Sequence, residues 1–334
     1  MAKSKKLLVD KRQTKQIGIL QKEVDELKAA RSVIESIKIE NLTNLDSYVI
    51  KANRSYKEEC TVITQLGDVH IDEIVNPNIT NKLNSYNPEI AELRLERYFT
   101  RLIYMIRLQR RAGIRIDNLV LHLVGDFISG WIHDELIETN SMTPVRATLL
   151  VEQLLTRGIK TIAEMGDLVK IVIPCSIGNH SRTTKKNHFK NTFDTSFEAI
   201  IYQHLSDYFK NAGFTNIEFI ISESPYIYYN IYGKINKFSH GNHFNYQGGI
   251  GGIEVGLNKW SYRENAVMPF DMAWIGHWHR YIVSPKVRIN GAVIGYNEMS
   301  RAFGFTPEVP MMQFQLLDKK RGYTTNTPII LEDF

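Results

Sequence analysis

The stretch FDMAWIGHWHR, residues 270–280, decides how this chain is read. An apolar run ends at Gly276, and two histidines follow two residues apart, His277 and His279. On a helix, residues i and i+2 point about 200° apart, whereas on an extended chain they share a face. A strand running into His-x-His can therefore offer both imidazoles to one site. An isolated pair is more often two ordinary histidines in the core or on the surface. Its meaning depends on the rest of the chain.

Working outward, four more segments repeat the layout of an apolar strand followed at once by polar residues suited to metal binding. They are Asp68 and His70 in LGDVH, Asp126 in VGDF, Asn179 and His180 in IGNH, and His240 in FSHG. Glycine precedes the polar residue in four of the five segments, which suits a tight turn off a strand. Each segment alone reads as a common loop, and GNH alone as a turn in which Asn tolerates a left-handed backbone. Together they keep one order and one placement from Asp68 to His279. In α/β sheets ligands gather just outside the carboxyl ends of strands, so five such ends can converge on one cleft.

The intervening sequence supports that architecture. NPEIAELRLERYFTRLIYMIRLQRRAG predicts a long helix, opened by proline and closed by Gly113. TPVRATLLVEQLLTRGIKTIAEMG predicts a second, with Thr143 as cap, and DTSFEAIIYQHLSDYFKNAG a third. After these come consecutive strand-like segments from NIEFIIS to MMQFQLLDK. Alternating β and α elements early, and strands late, predict an α/β fold with a mixed sheet or two sheets flanked by helices. The glycine-rich run NYQGGIGGIEVGLNKW is read as a cleft-lining loop or a turn-rich connection.

The amino-terminal part differs. Ile17, Leu20, Val24, Leu27, Ile34 and Ile37 recur at mostly three- and four-residue steps, the pattern of an amphipathic helix. Residues 1–31 hold nine Lys and Arg against four acids, a surplus equal to the net charge of +5 for all 334 residues. The expected division is a basic helical arm over 1–55 and a main domain over 56–334. The arm's helix could pack on the domain, cross a nucleic acid or pair with a second copy to form a homo-oligomer.

Composition excludes several classes. No run approaches the ~18 apolar residues of a membrane span, so no membrane partner is expected. The opening MAKSKKLLVDKRQ has only three apolar residues after its lysines, far short of a signal-peptide core. The expected location is the cytoplasm. Two cysteines, Cys60 and Cys175, make no disulfide framework and read as small buried hydrophobes. Any metal site must use histidine, carboxylate and amide ligands.

The series Asp-x-His, Gly-Asp, Gly-Asn-His, His-Gly and Gly-His-x-His resembles the calcineurin-like metallophosphoesterases, over about residues 61–280. The resemblance implies a two-sheet α/β sandwich with helices on its outer faces and a dinuclear metal centre at the strand ends. Position by position, it implies one ion on Asp68, His70 and His279 and a second on Asn179, His240 and His277. Asp126 bridges the two, and the main domain becomes the catalytic one. His240 is preferred to His243 because it ends the INKF run and precedes Gly241. Ligands without thiolate suit borderline or hard ions, Mn²⁺ first, with Fe²⁺ or Zn²⁺ as alternatives. The implied chemistry is attack on phosphorus by a hydroxide held between the ions, with His180 assisting the leaving group. Many relatives carry Asp or Glu after Gly-Asn-His, which helps orient the histidine; this chain has Ser181, a weaker orienting group, and Asp72 or another nearby carboxylate is the substitute.

Substrate choice needs other features. The second motif GDFISGW and third motif GNHSR disfavour the protein-phosphatase branch. Arg182, Lys185, Lys186 and Lys190 follow the third motif without an acid, and Arg94, Arg97, Arg101, Arg107, Arg110 and Arg111 line the first long helix, with Arg115 just beyond. Basic surface round a cleft attracts a phosphate backbone, and Arg182, Lys185 and Lys186 are the expected substrate contacts. Glycine-rich stretches like the one after His243 also occur in phage-encoded members of the family. The expected function is nuclease action on DNA or RNA. The alternatives are a small-substrate phosphatase or cyclic-nucleotide phosphodiesterase, and a metal-stabilised, non-enzymatic assembly protein.

Overall fold

A computed structural model of the chain describes residues 58–244 and 252–333, the strand Val49–Ile50 and a few helical positions between 18 and 28. The apolar stripe of the arm lies outside these residues, Val24 apart.

The strands are β1 (Val49–Ile50), β2 (Glu59–Gly67), β3 (Arg115–Gly125), β4 (Lys170–Cys175), β5 (Ile217–Ile221), β6 (Ile227–Ile231), β7 (Lys234–Phe238), β8 (Met272–Ile275), β9 (Ile282–Val283), β10 (Val287–Ile289), β11 (Met311–Asp318) and β12 (Gly322–Ile330). They form two six-stranded sheets, ordered β1-β6-β7-β8-β10-β9 and β12-β11-β2-β3-β4-β5. Within the second sheet β2 to β5 run parallel, and β11 and β12 close one edge antiparallel.

Period-two alternation sorts the apolar side chains between layers. On β2, Val62 faces one core and Ile63 the other; on β3, Leu119 and Leu121 face one way and Val120 the other; on β4, Ile171 and Ile173 oppose Val172. Ile63, Val120 and Val172 meet Tyr229, Phe238, Met272 and Trp274 of the first sheet, filling the space between the sheets. Burial on both faces explains why these strands read as nearly unbroken apolar runs.

The outer face of the second sheet carries α1 (Pro88–Arg111), α3 (Pro144–Met165) and α4 (Phe197–Asn211), with the short α2 (Asp134–Thr139) beyond the end of β3. Asn87 caps α1 by accepting from Ile90 N, and Thr143 caps α3 as its sequence predicts. The structure corrects one expectation. The later part of the glycine-rich run is a helix, α5 (Gly252–Val267). Ile253, Leu257 and Trp260 make its apolar stripe and pack on the outer face of the first sheet against Ala273 and Ile275. Residues 245–251 of that run lie outside the described residues. A final short helix, α6 (Glu298–Ala302), follows β10.

Two strands were not expected. β12 pairs with β11 and accommodates Pro328 because it is an edge strand. β1, within the segment expected as the arm, pairs parallel with β6 through Val49 and Ile50. Among the described residues no helix is long and apolar enough to cross a membrane.

Candidate metal centre

Five strand ends deliver the expected residues. Asp68 follows β2, Asp126 follows β3, Asn179 lies four residues beyond β4, and His240 and His277 each lie two beyond β7 and β8. The β2, β3 and β4 ends are neighbours in one sheet, and the β7 and β8 ends are neighbours in the other. The sandwich brings the two sets face to face.

Backbone conformation marks the same residues. Asp68, His70, Asp126, His277 and His279 all have left-handed φ, between 48° and 68°. Non-glycine residues enter that region at a cost of roughly 1–3 kcal/mol each, and they cluster where the side chain's aim matters. Glycines let the turns close. A Cβ on Gly178 would lie 2.1 Å from Asp126 Oδ1, and one on Gly276 2.5 Å from Asp68 Oδ2.

The side chains form two groups, Asp68 with His70 and His279, and Asp126 with His240 and His277, the ligand atoms of each lying within 4.8 Å of one another. In the first, His279 Nε2 is 3.7 Å from Asp68 Oδ1. The Ser129 hydroxyl donates to Glu73 Oε2 at 2.8 Å and so accepts the His70 Nδ1 proton, also at 2.8 Å. That tautomer leaves His70 Nε2 as a buried lone pair with no hydrogen-bond partner; His279 Nδ1 is likewise buried and unpartnered. In the second group, His240 Nε2 lies 3.0 Å from Asp126 Oδ2, 3.0 Å from Asn179 Oδ1 and 3.2 Å from His277 Nδ1. Its Nδ1 is turned to the Val124 carbonyl at 3.0 Å. Carbonyl, carboxylate and imidazole acceptors thus converge with few donors among them. This donor set fits divalent cations of the borderline or hard class.

The electrostatics agree. Burial holds His70 and His277 well below the ordinary imidazole range and His279 at about 4. Burial also opposes charge on His240, but Asp126, Asp68 and Glu198 outweigh it and push that imidazole up to about 9. Burial raises Asp68 to about 8. For Asp126 burial acts upward, yet His240, His180 and His70 carry it well below the carboxylate range.

His180 sits beside the first group, its ring edge-on to His70 with centroids 4.8 Å apart. Its backbone N–H donates to Asp126 Oδ1 at 2.7 Å, and Nδ1 lies 3.2 Å from the Ser129 carbonyl. Ser181 does not orient it. That hydroxyl is buried and pairs with Ser196 Oγ at 2.7 Å, on the far side of the loop. Asp72 acts at one remove, accepting from Ser129 N at 2.6 Å and Gly130 N at 3.1 Å, and so fixing the carbonyl that meets His180.

The basic residues behave differently from expectation. Arg94 is buried and donates to the Val293 and Ile294 carbonyls and to Glu332; Arg97 and Arg101 pair with Asp333; Arg110 donates to the carbonyls of Ile116, Gly166 and Asp167. Arg107 bonds the Met165 carbonyl and Arg115 pairs with Asp117. These arginines clamp the carboxyl-terminal segment and a helix end, so they do not form a cationic rim. The Arg182 guanidinium gathers the carbonyls of Asn179, Thr184 and Lys185 and so shapes the loop. Lys185 and Lys186 are exposed, with Lys185 3.5 Å from Asp134.

His243 stays out of both groups, its ring 5.3 Å from Tyr226. Trp278, between the two histidines of the opening stretch, stacks on Phe244 at 4.9 Å. Sequence reasoning missed Ser129, Glu73 and Glu198. The Glu198 carboxylate accepts from Phe127 N and Gly178 N, and nothing in its sequence position signals that.

No family model matches the chain, and no curated protein matches it. Among solved structures, it is similar to Vps29 of Entamoeba histolytica, in a single-site mutant form and in the wild-type form complexed with Zn²⁺. Identities are 8% and 9% and TM-scores 0.31 and 0.30; each match covers 80% of this chain, and 98% and 99% of the other. Likeness at that level carries no argument. The reading of the site rests on its own geometry.

Proposed function

We propose that the chain is a dinuclear metal-dependent phosphodiesterase of the calcineurin-like metallophosphoesterase type, acting on nucleic acid. One observation carries this reading: Asp68, His70, Asp126, Asn179, His240, His277 and His279 come from five strand ends of two sheets into two adjoining groups, the first with buried, unpartnered nitrogens on His70 and His279. Asp68, His70 and His279 would hold one ion, and Asn179, His240 and His277 the other, with Asp126 between them. Bound there, divalent cations would neutralise phosphoryl charge and acidify water.

The chain's own groups supply the rest. The Ser129 carbonyl keeps a proton on His180 Nδ1, so protonating Nε2 gives the imidazolium that can pass a proton to a leaving oxygen. Asp72 holds the Ser129 and Gly130 backbone in place for that contact. Exposed Lys185 and Lys186 support a polyanionic substrate, and half-exposed Trp131 supports unpaired bases, because every base has a face that can stack on an aromatic ring. Gly130, beside that tryptophan, is close enough to His180 that a Cβ would lie 2.8 Å from its carbonyl.

The internal use of the α1 arginines favours a second reading, a phosphodiesterase for small substrates, because it removes most of the cationic track that a long strand would follow. One experiment separates them. Purified protein with Mn²⁺ is offered single-stranded DNA, duplex DNA, RNA and bis-p-nitrophenyl phosphate, with Asp126→Asn as control. Cleavage of a polymer that weakens steeply with salt supports the first reading. Hydrolysis of the small diester alone selects the second, and no hydrolysis with metal bound leaves a binding protein.

A further inference from the structure

A buried carboxylate outside the ligand set joins the two loops on which the second group depends. Glu198 lies in the first turn of α4 with no exposed surface. Its Oε1 accepts from Phe127 N at 2.8 Å and its Oε2 from Gly178 N at 2.7 Å. Phe127 directly follows Asp126, and Gly178 directly precedes Asn179. One rigid, two-pronged group therefore spans the ends of β3 and β4 where each releases its ligand. The start of α4 is tied to the same loop, since Phe197 N donates to the Ser181 carbonyl at 2.9 Å and Ser196 Oγ meets Ser181 Oγ. Where Ser181 replaces an acidic residue after Gly-Asn-His, the carboxylate supporting this loop comes from the next helix.

We propose that Glu198 is a positioning residue of the metal centre, setting the separation of Asp126 and Asn179 so that both reach the ion held with His240 and His277. The proposal rests on the metal centre proposed above. Glu198→Gln keeps size and burial but can accept only one of the two N–H groups, because its amide nitrogen is a donor. Glu198→Asp keeps the charge but is one methylene shorter and cannot span both loops.

The test is calorimetric titration of metal-free protein with Mn²⁺ and with Zn²⁺, alongside thermal unfolding without metal. His70→Ala and His240→Ala assign the two binding steps to the two groups. Loss of outer hydrogen bonds typically weakens metal binding roughly 10–100-fold. That loss is expected in both Glu198 variants at the step that His240→Ala abolishes, with a smaller change at the step that His70→Ala abolishes. Equal weakening of both steps, or unchanged affinity with a lowered melting temperature, would overturn the proposal and leave Glu198 a packing residue. So would failure of both variants to fold. Failure of the wild-type chain to bind metal would instead overturn the metal centre itself.

Discussion

Gly178→Ala tests how the close approach of the β3 and β4 ends aims Asp126. Gly178 has no left-handed φ, so alanine's backbone preferences cost nothing there, and the whole effect comes from one methyl group. That methyl would lie 2.1 Å from Asp126 Oδ1 and 2.3 Å from Asp126 N. Non-bonded contacts of carbon settle near ~3.5–4.0 Å, so the β3 and β4 ends must part by roughly 1 Å or more. Overpacking of this kind costs about 1–3 kcal/mol. In a chain of this length that lowers Tm by roughly 2 °C per kcal/mol. The displaced carboxylate also leaves His240 Nε2, now 3.0 Å from Asp126 Oδ2, so metal affinity should fall by about tenfold or more. Circular dichroism melts of metal-free protein and metal titration measure the two effects. Gly113→Ala is the control: its φ is 88° but nothing lies near its missing Cβ. It should cost about 1–2 kcal/mol through backbone strain and leave metal binding alone. Wild-type metal affinity in Gly178→Ala would refute the idea that this close approach aims Asp126.

His180→Ala should retain both metals and lose roughly 10²–10⁴ in kcat, the usual contribution of a positioned acid; equal turnover would remove His180 from the chemistry. Trp131→Ala and a Lys185→Ala/Lys186→Ala pair should each raise KM for single-stranded DNA several-fold while leaving bis-p-nitrophenyl phosphate hydrolysis unchanged, and parallel losses on both substrates would count against a strand-binding surface.

The strand-end positions of these side chains were legible because the constraint on them is local. A strand that stops at glycine and turns its next side chain back towards the sheet end leaves a signature of a few residues. The same signature occurs at Asp68, Asp126 and His277, and the lack of room for a Cβ at Gly67, Gly125 and Gly276 shows why glycine precedes each. His240 and His243 could be separated for the same reason, since only His240 sits at the turn off β7. The supporting residues were not legible, because they are defined by distance across the fold. Glu73 reaches Ser129 over 56 residues and Glu198 reaches Phe127 over 71, and neither position has a local pattern. The arginines of α1 show how charge misleads when read along the chain. Sequence counts a guanidinium as a cation, but its donors can equally satisfy carbonyls at strand and helix ends. Arg94 spends its hydrogen bonds on Val293 and Ile294, whose own N–H groups bond the Asp68 carbonyl. A residue read as a contact for phosphate thus helps hold the turn that carries Asp68.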